Sequence, residues 1–266
     1  MKRNIRLVIA FDGTAYNGWQ RQKNGPTIQG TLERKLSVLC CESVCIHGAG
    51  RTDAGVHALG MVAHFKTGAV RPLSAFTRGL NSMLPHDIRI LEACEMPSDF
   101  HSRYHALAKT YRYDLFTGDV MPPTRRLYEA HLPGSFDLTA CRRSLLLLMG
   151  SHDFASFEGA GSRDPLRKDG RGAVRTIFQA RCSPISGQPN RWSFSITGDG
   201  FLRHMVRNIV GTLRQVGMGI ISPDDFAAIV AACDRHQAGP TAPACGLFLE
   251  QIYYNRQDIP VLQDTP

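Results

Sequence analysis

The chain reads twice through one order of strand-like and helix-like stretches, and that order limits its fold more than any bulk property. In the first half RNIRLVIAF (3–11) alternates as a strand does. Thr27 is placed to cap a helix over IQGTLERKLSVLC, where Ile28, Leu32, Leu36 and Leu39 fall at helical spacing. ESVCIHG and ALGMVAHFK read as strands. PLSAFTRGLNSML reads as a helix opened by Pro72, and DIRILEACEM as a strand. The second half repeats the order. KTYRYDLF is a strand, DLTACRRSLLLLMG a helix ended by Gly150, and GAVRTIFQARC and RWSFSITG are strands. GFLRHMVRNIVGTLRQVG is a long helix, another runs from Pro223 to about Cys233, and GLFLEQIYY closes as a strand. The halves share no sequence repeat. Two split β-α-β units predict an α+β fold of two subdomains, 1–100 and 101–266, each an antiparallel sheet covered by helices, with the seam near residues 97–106.

Composition narrows the partner. Lys and Arg number 31 against 23 Asp and Glu, a formal charge of +8, which favours a polyanion and nucleic acid first. No apolar run approaches the roughly 18 residues of a membrane span. The apolar stretch Leu7 to Phe11 lacks a cleavage pattern after it, so it reads as a strand and not a secretory signal. Eight cysteines include no CxxC pair, and the cluster Cys40, Cys41 and Cys45 has no partner set at zinc-ligand spacing. They read as reduced thiols of a cytoplasmic protein with no metal. GxxxxGK[ST], HExxH and GxSxG are all missing, which removes the commonest nucleotide, zinc-protease and serine-hydrolase chemistries.

Three stretches carry possible chemistry. HGAGRTDAGVHALG (47–60) is too rich in glycine for a helix and too interrupted for a strand. It reads as a shaped loop presenting Asp53 two residues from Arg51, whose guanidinium can hold the carboxylate ionised. The plainer reading of such an Asp is a turn residue bonded to its own backbone. His57, at the loop's end, reads as structural. In FHSRYHALAKTYRYDLF (100–116), Lys109, Tyr111 and Tyr113 share one strand face, with Arg103 and Arg112 near in sequence. Aromatics beside cations suit base stacking and phosphate contact, and the alternative is tyrosines packed under a helix. In the long helix Leu202, Val206, Ile209, Leu213 and Val216 form a core stripe, while Arg203, Arg207 and Arg214 occupy another face, either solvated or touching phosphate. Glu158 to Gly172 reads as a mobile, mainly basic loop.

GRTDAGVHA (50–58) resembles the catalytic motif of the TruA family of tRNA pseudouridine synthases. FDGTAYNGWQRQ, TIQGTLE, FHSRYHALAKTYRY, GSHDFASF, VRTI, GFLRHMVRNIVGTL and CGLFL resemble family segments in the family's order, across nearly the whole chain. The resemblance implies isomerisation of uridine to pseudouridine at positions 38 to 40, on the 3′ side of the tRNA anticodon stem-loop. It also implies two ferredoxin-like subdomains flanking a basic cleft, a homodimer, and no metal or organic cofactor. By motif, Asp53 would be the catalytic aspartate, Arg51 its loop partner, and Tyr111 the residue packed on the target base. Arg103, in F-H-x-R, would contact tRNA, with Phe100, His101 and Tyr104 of the same segment beside the substrate. Arg207 and Leu247 would lie at the active site. The span from Gly159 to Gly172 looks longer than the family's. An inactive RNA-binding or chaperone module on this scaffold is the runner-up. A hydrolytic glycosidase is a third reading, against which stands the absence of a second placed carboxylate.

Overall fold

A computed structural model describes residues 2–159 and 170–260; most of the basic span 158–172 therefore lies outside the described residues. The chain divides into two compact units, one of Met1–Leu107 with Phe248–Tyr254, the other of Ala108–Leu247 with the residues from Asn255 on. Both are mixed α/β, and their strand pairings are largely antiparallel.

In the first unit β1 (Arg3–Phe11) pairs antiparallel with both β3 (His57–Thr67) and β4 (Ile88–Met96). The alternation works as read: Ile5, Leu7 and Ile9 are fully buried, while Arg3 and Arg6 reach Glu95 and Glu92 on β4 at 2.8 and 2.6 Å. β2 (Ile46–Gly48) adds to β3, but only three residues of ESVCIHG take strand geometry. α1 (Ile28–Cys40) begins where Thr27 accepts from Gly30 N at 3.2 Å and ends at Cys41 in the left-handed region. Ile28, Leu32 and Leu36 are its buried stripe. The second helix forms in two pieces. Residues Ala75–Gly79 make a π turn, with Leu80 N donating to Ala75 O, before α2 (Leu80–Met83).

The second unit is built on β5 (Ala108–Phe116), β9 (Arg191–Gly198), β8 (Val174–Pro184) and β7 (Gly150–Asp153), each antiparallel to the next, with β6 (Ala130–His131) parallel beside β5. α3 (Leu138–Leu146) is capped by Asp137, and α5 (Pro223–Ala232) by a reciprocal Ser222–Asp225 pair. Gly150 does not end α3. At φ +89 it opens β7, an added strand.

Two expectations are corrected here. α4 (Met205–Gly217) starts five residues later than the apolar spacing suggests. His204 is left-handed (φ +61) and Gly159 N donates to Arg203 O at 2.8 Å, so a packing contact breaks the helix before it can include Arg203. Chain order also puts the closing strand with the second half. β10 (Leu247–Tyr253) instead runs parallel to β3, Phe248 opposite His57, and its residues from Phe248 on belong to the first unit.

Candidate active site

The loop between β2 and β3 is clamped from below by the segment that follows β1. Trp19 N donates to Thr52 O at 3.1 Å and Gly55 N to Tyr16 O at 3.3 Å, while Ala49 N ties the loop's start to β3 through Val62 O at 2.8 Å. Three glycines make the clamp possible. A Cβ on Gly13 would overlap the carbonyl oxygen of Val56, and one on Gly18 that of Thr52; Gly55 itself holds φ +76. A Cβ on Gly48 would reach 2.6 Å from the buried Trp19 indole. FDGTAYNGWQ is thus the mould in which GRTDAGV is cast, which explains two separated motifs by one contact.

On this loop Asp53 is half-buried and Arg51 exposed. Thr52, buried between them, has a hydroxyl with no hydrogen-bond partner among the described residues. His57 is the first residue of β3, 1% exposed, with Nδ1 3.1 Å from both Gly13 N and Asp12 Oδ1 and its ring 4.8 Å from that of Phe248. It holds the mould together, as its structural reading has it.

Phe100 to His105 form a turn on a cluster of imidazoles that no local pattern announces. His64 lies 4.6 Å from His101 and 5.2 Å from His47, centroid to centroid. Ser102, fully buried, joins them through His64 Nδ1 at 2.9 Å and His47 O at 2.6 Å. Burial, followed by the charges of His101 and His47, pulls the pKa of His64 down to about 4. His101 Nδ1 accepts from Arg103 N at 3.1 Å, and its ring stacks on Tyr104 at 4.1 Å. Phe100 is buried against His64 and Tyr254. The exposed members are Arg103, Tyr104 and His105, Tyr104 being 75% exposed. The imidazoles form no group able to hold a metal among the described residues.

In the second unit Tyr111 is buried on β5, its ring edge-on to Phe201 at 4.9 Å. Tyr113, on the same face, is core. Its ring is fully buried and its hydroxyl donates to Pro243 O at 2.8 Å, so the aromatic-face reading does not extend to it. Arg112 is engaged by Asp114 at 3.1 Å, and Lys109 is half-buried.

Arg207, on α4, donates through Nε to Ala242 O at 2.7 Å, and Ala242 N returns a bond to Arg207 O at 3.1 Å. The loop carrying Ala242 is fixed by the fully buried Asn208, which sequence reasoning missed. Asn208 Nδ2 donates to Phe157 O at 2.8 Å, and its Oδ1 accepts from Thr241 at 2.6 Å and Arg235 at 3.2 Å. Gly211 lets that loop lie on α4, since a Cβ there would overlap Pro240 O. Arg214 is half-buried, with an Nε that finds no partner among the described residues. Leu247 is buried where β10 begins, after Gly246, whose Cβ position would lie 2.5 Å from Asp114 O. No helix among the described residues is long and apolar enough to cross a membrane.

A shaped loop with one carboxylate, a guanidinium two residues away and a basic chain suits covalent or acid–base chemistry on a bound polyanion. Comparison with known proteins agrees. The family described as tRNA pseudouridine synthase matches residues 7–105 and 145–255. "tRNA pseudouridine synthase A 1" of Desulfotalea psychrophila is 52% identical over 252 residues, covering 95% of this chain and 100% of that protein. "tRNA pseudouridine synthase A" of Citrifermentans bemidjiense is 43% identical over 256 residues, 96% of this chain and 99% of that protein. The protein of the same name from a Geobacter species is 44% identical over 253 residues, 95% and 99%.

Proposed function

Because the chain belongs to the tRNA pseudouridine synthase family, and so is an isomerase of tRNA uridines, we propose that Asp53 is its catalytic carboxylate and that it acts at positions 38 to 40 of the anticodon stem-loop. The observation that carries this reading is the moulded loop. Gly13, Gly18 and Gly55 give the backbone of residues 50–56 one shape, and that shape presents Asp53 without burying it.

The reaction breaks the N1–C1′ bond, turns the uracil and joins C5 to C1′, with no net loss of atoms beyond exchange of the C5 hydrogen. The uridine leaves its stack first, while cationic side chains hold the backbone. Asp53 then attacks C1′, adds to the base, or takes a sugar proton to give a glycal. Each route begins from the ionised carboxylate. Arg51 supplies a guanidinium next to it on the loop. Tyr111 packs on the uracil and keeps the detached base from water. Arg103 contacts the tRNA backbone from its turn, with Tyr104 and His101 as a stacking pair and Phe100 as the anchor beneath them. Arg207 and Leu247 complete the site.

The same reading gives two ferredoxin-like subdomains flanking a basic cleft, the N-terminal one, which also takes in Phe248–Tyr254, carrying Asp53 and the C-terminal one carrying Tyr111. The order β1-α1-β2-β3-α2-β4 of the first unit supports it. It also gives a homodimer working in the cytoplasm without metal or organic cofactor. The test is tritium release from tRNA labelled at uridine C5, followed by mapping of the modified nucleotides. Release with product outside positions 38 to 40 overturns the site assignment. No release overturns the function.

A further inference from the structure

A second concave feature of the first unit lies between α1 and the turn from α2 into β4. Thr31, Arg34 and Lys35 share one face of α1, at spacings of three and four residues. With Tyr16, Pro26 and Met83 to His86 they line a cleft of about 620 Å³, within the roughly 300–1,000 Å³ of ligand sites.

The polar groups in this cleft have settled roles. Tyr16 is buried and its hydroxyl donates to Asp87 Oδ1 at 2.8 Å. Burial, then that bond to the carboxylate, raises the hydroxyl's pKa, so it keeps its proton and offsets part of the Asp87 charge. His86 is exposed, and its Nδ1 lies 2.8 Å from a guanidinium nitrogen of Arg89. A guanidinium only donates, so Nδ1 accepts and Nε2 carries the hydrogen. Arg89 is fixed in this pose by the carbonyls of Pro85 and Ile88 at 2.7 and 2.6 Å. The cleft thus offers an exposed guanidinium, a half-buried ammonium and an imidazole N–H around the apolar surfaces of Pro26, Met83 and Pro85. Cationic donors above an apolar floor match a phosphodiester and its sugar, where charge and carbon surface occur together.

We propose that this cleft holds a backbone phosphate and adjoining ribose of the tRNA, away from the nucleotide being isomerised. The proposal rests on tRNA as the substrate. It also links binding to the catalytic loop: Tyr16, in the cleft wall, accepts through its carbonyl from Gly55 N. An occupant presses on the segment that shapes the Asp53 loop.

The experiment is binding of an unmodified tRNA transcript by filter retention between about 50 and 200 mM salt, with wild type, Arg34→Ala/Lys35→Ala and Arg34→Lys/Lys35→Arg, each checked for native circular dichroism. The double alanine variant should bind about tenfold more weakly, and its log–log salt slope should fall by about 1. The charge-conserving variant should keep the wild-type slope. Unchanged affinity and slope in the alanine variant overturn the proposal. So does loss of uridine monophosphate binding with an unchanged tRNA slope, which makes the cleft a site for a free nucleotide. Tritium release by wild type is read separately, so failure of the cleft and failure of the enzymatic reading give different results.

Discussion

Gly13 lies so close under Val56 that a Cβ on it would overlap the Val56 carbonyl oxygen. The overlap is with backbone, which cannot swing aside as a side chain can. Gly13→Ala must therefore push residues 53–56 away from their mould. We expect turnover to fall about 100-fold, the usual cost of roughly 1 Å of misplacement at a reacting group, with tRNA affinity little changed. Wild-type turnover in Gly13→Ala would show that the loop's shape is not set by this contact.

Asp53→Asn keeps size and hydrogen-bonding capacity at a half-buried position, so the fold should survive. An amide can neither attack C1′ nor take a proton. Tritium release should drop by at least about three orders of magnitude while tRNA binding persists. Release near the wild-type rate would remove Asp53 from the chemistry.

What was legible in the sequence was local. Ile5, Leu7 and Ile9 alternate because β1 has one buried face, and Thr27 caps because its side chain reaches its own helix. What was not legible depends on partners far along the chain. His204 is left-handed beside Gly159. β10 pairs with β3 from nearly two hundred positions away, and His47, His64 and His101 meet from two strands and a loop. Asp53 stood out by its glycines, yet what those glycines do is visible only where residues 13–19 pack beneath it.

Asn208 and Arg235 hold the loop on which Arg207 rests. Arg235 donates to Ala238 O, Gly239 O and Thr241 Oγ1 at 3.1, 3.0 and 3.3 Å as well as to Asn208. Arg235→Met leaves those acceptors without their donor, which should cost about 1–3 kcal/mol of stability. If the loop positions Arg207, turnover should also fall about tenfold at saturating tRNA and below the melting transition. Arg235→Lys should not restore it, because one ammonium cannot span four acceptors. Normal turnover in the folded Met variant would limit Arg235 to stability.

Tyr111→Phe separates stacking from proton chemistry. The ring that packs edge-on to Phe201 is retained, so ground-state binding of the base should survive. Only the hydroxyl is lost. If it passes or stabilises a proton as C5 joins C1′, single-turnover rates fall at least about tenfold while the Kd for tRNA holds. Equal rates for Phe and Tyr would leave the residue a packing role alone.

The imidazole cluster gives acid sensitivity with a definite sign. Burial first, and then the nearby charges of His101, His47 and Lys66, hold the folded pKa of His64 at about 4, against about 6.5 in an unfolded chain. Between those values the unfolded chain takes up a proton that the folded one refuses. Stability is therefore full above about pH 6.5, declines as pH falls, and is wholly lost from this source below about pH 4. The loss should reach about 2 kcal/mol at pH 5 and about 3 kcal/mol below pH 4. His101 is shifted the same way and adds to the trend. His64→Asn keeps a polar partner for Ser102 but cannot titrate. Urea unfolding of both proteins at about pH 7.5 and pH 5 should show a steeper loss in wild type. Parallel losses would mean that acid acts elsewhere, and that the turn carrying Arg103 and Tyr104 does not loosen through His64.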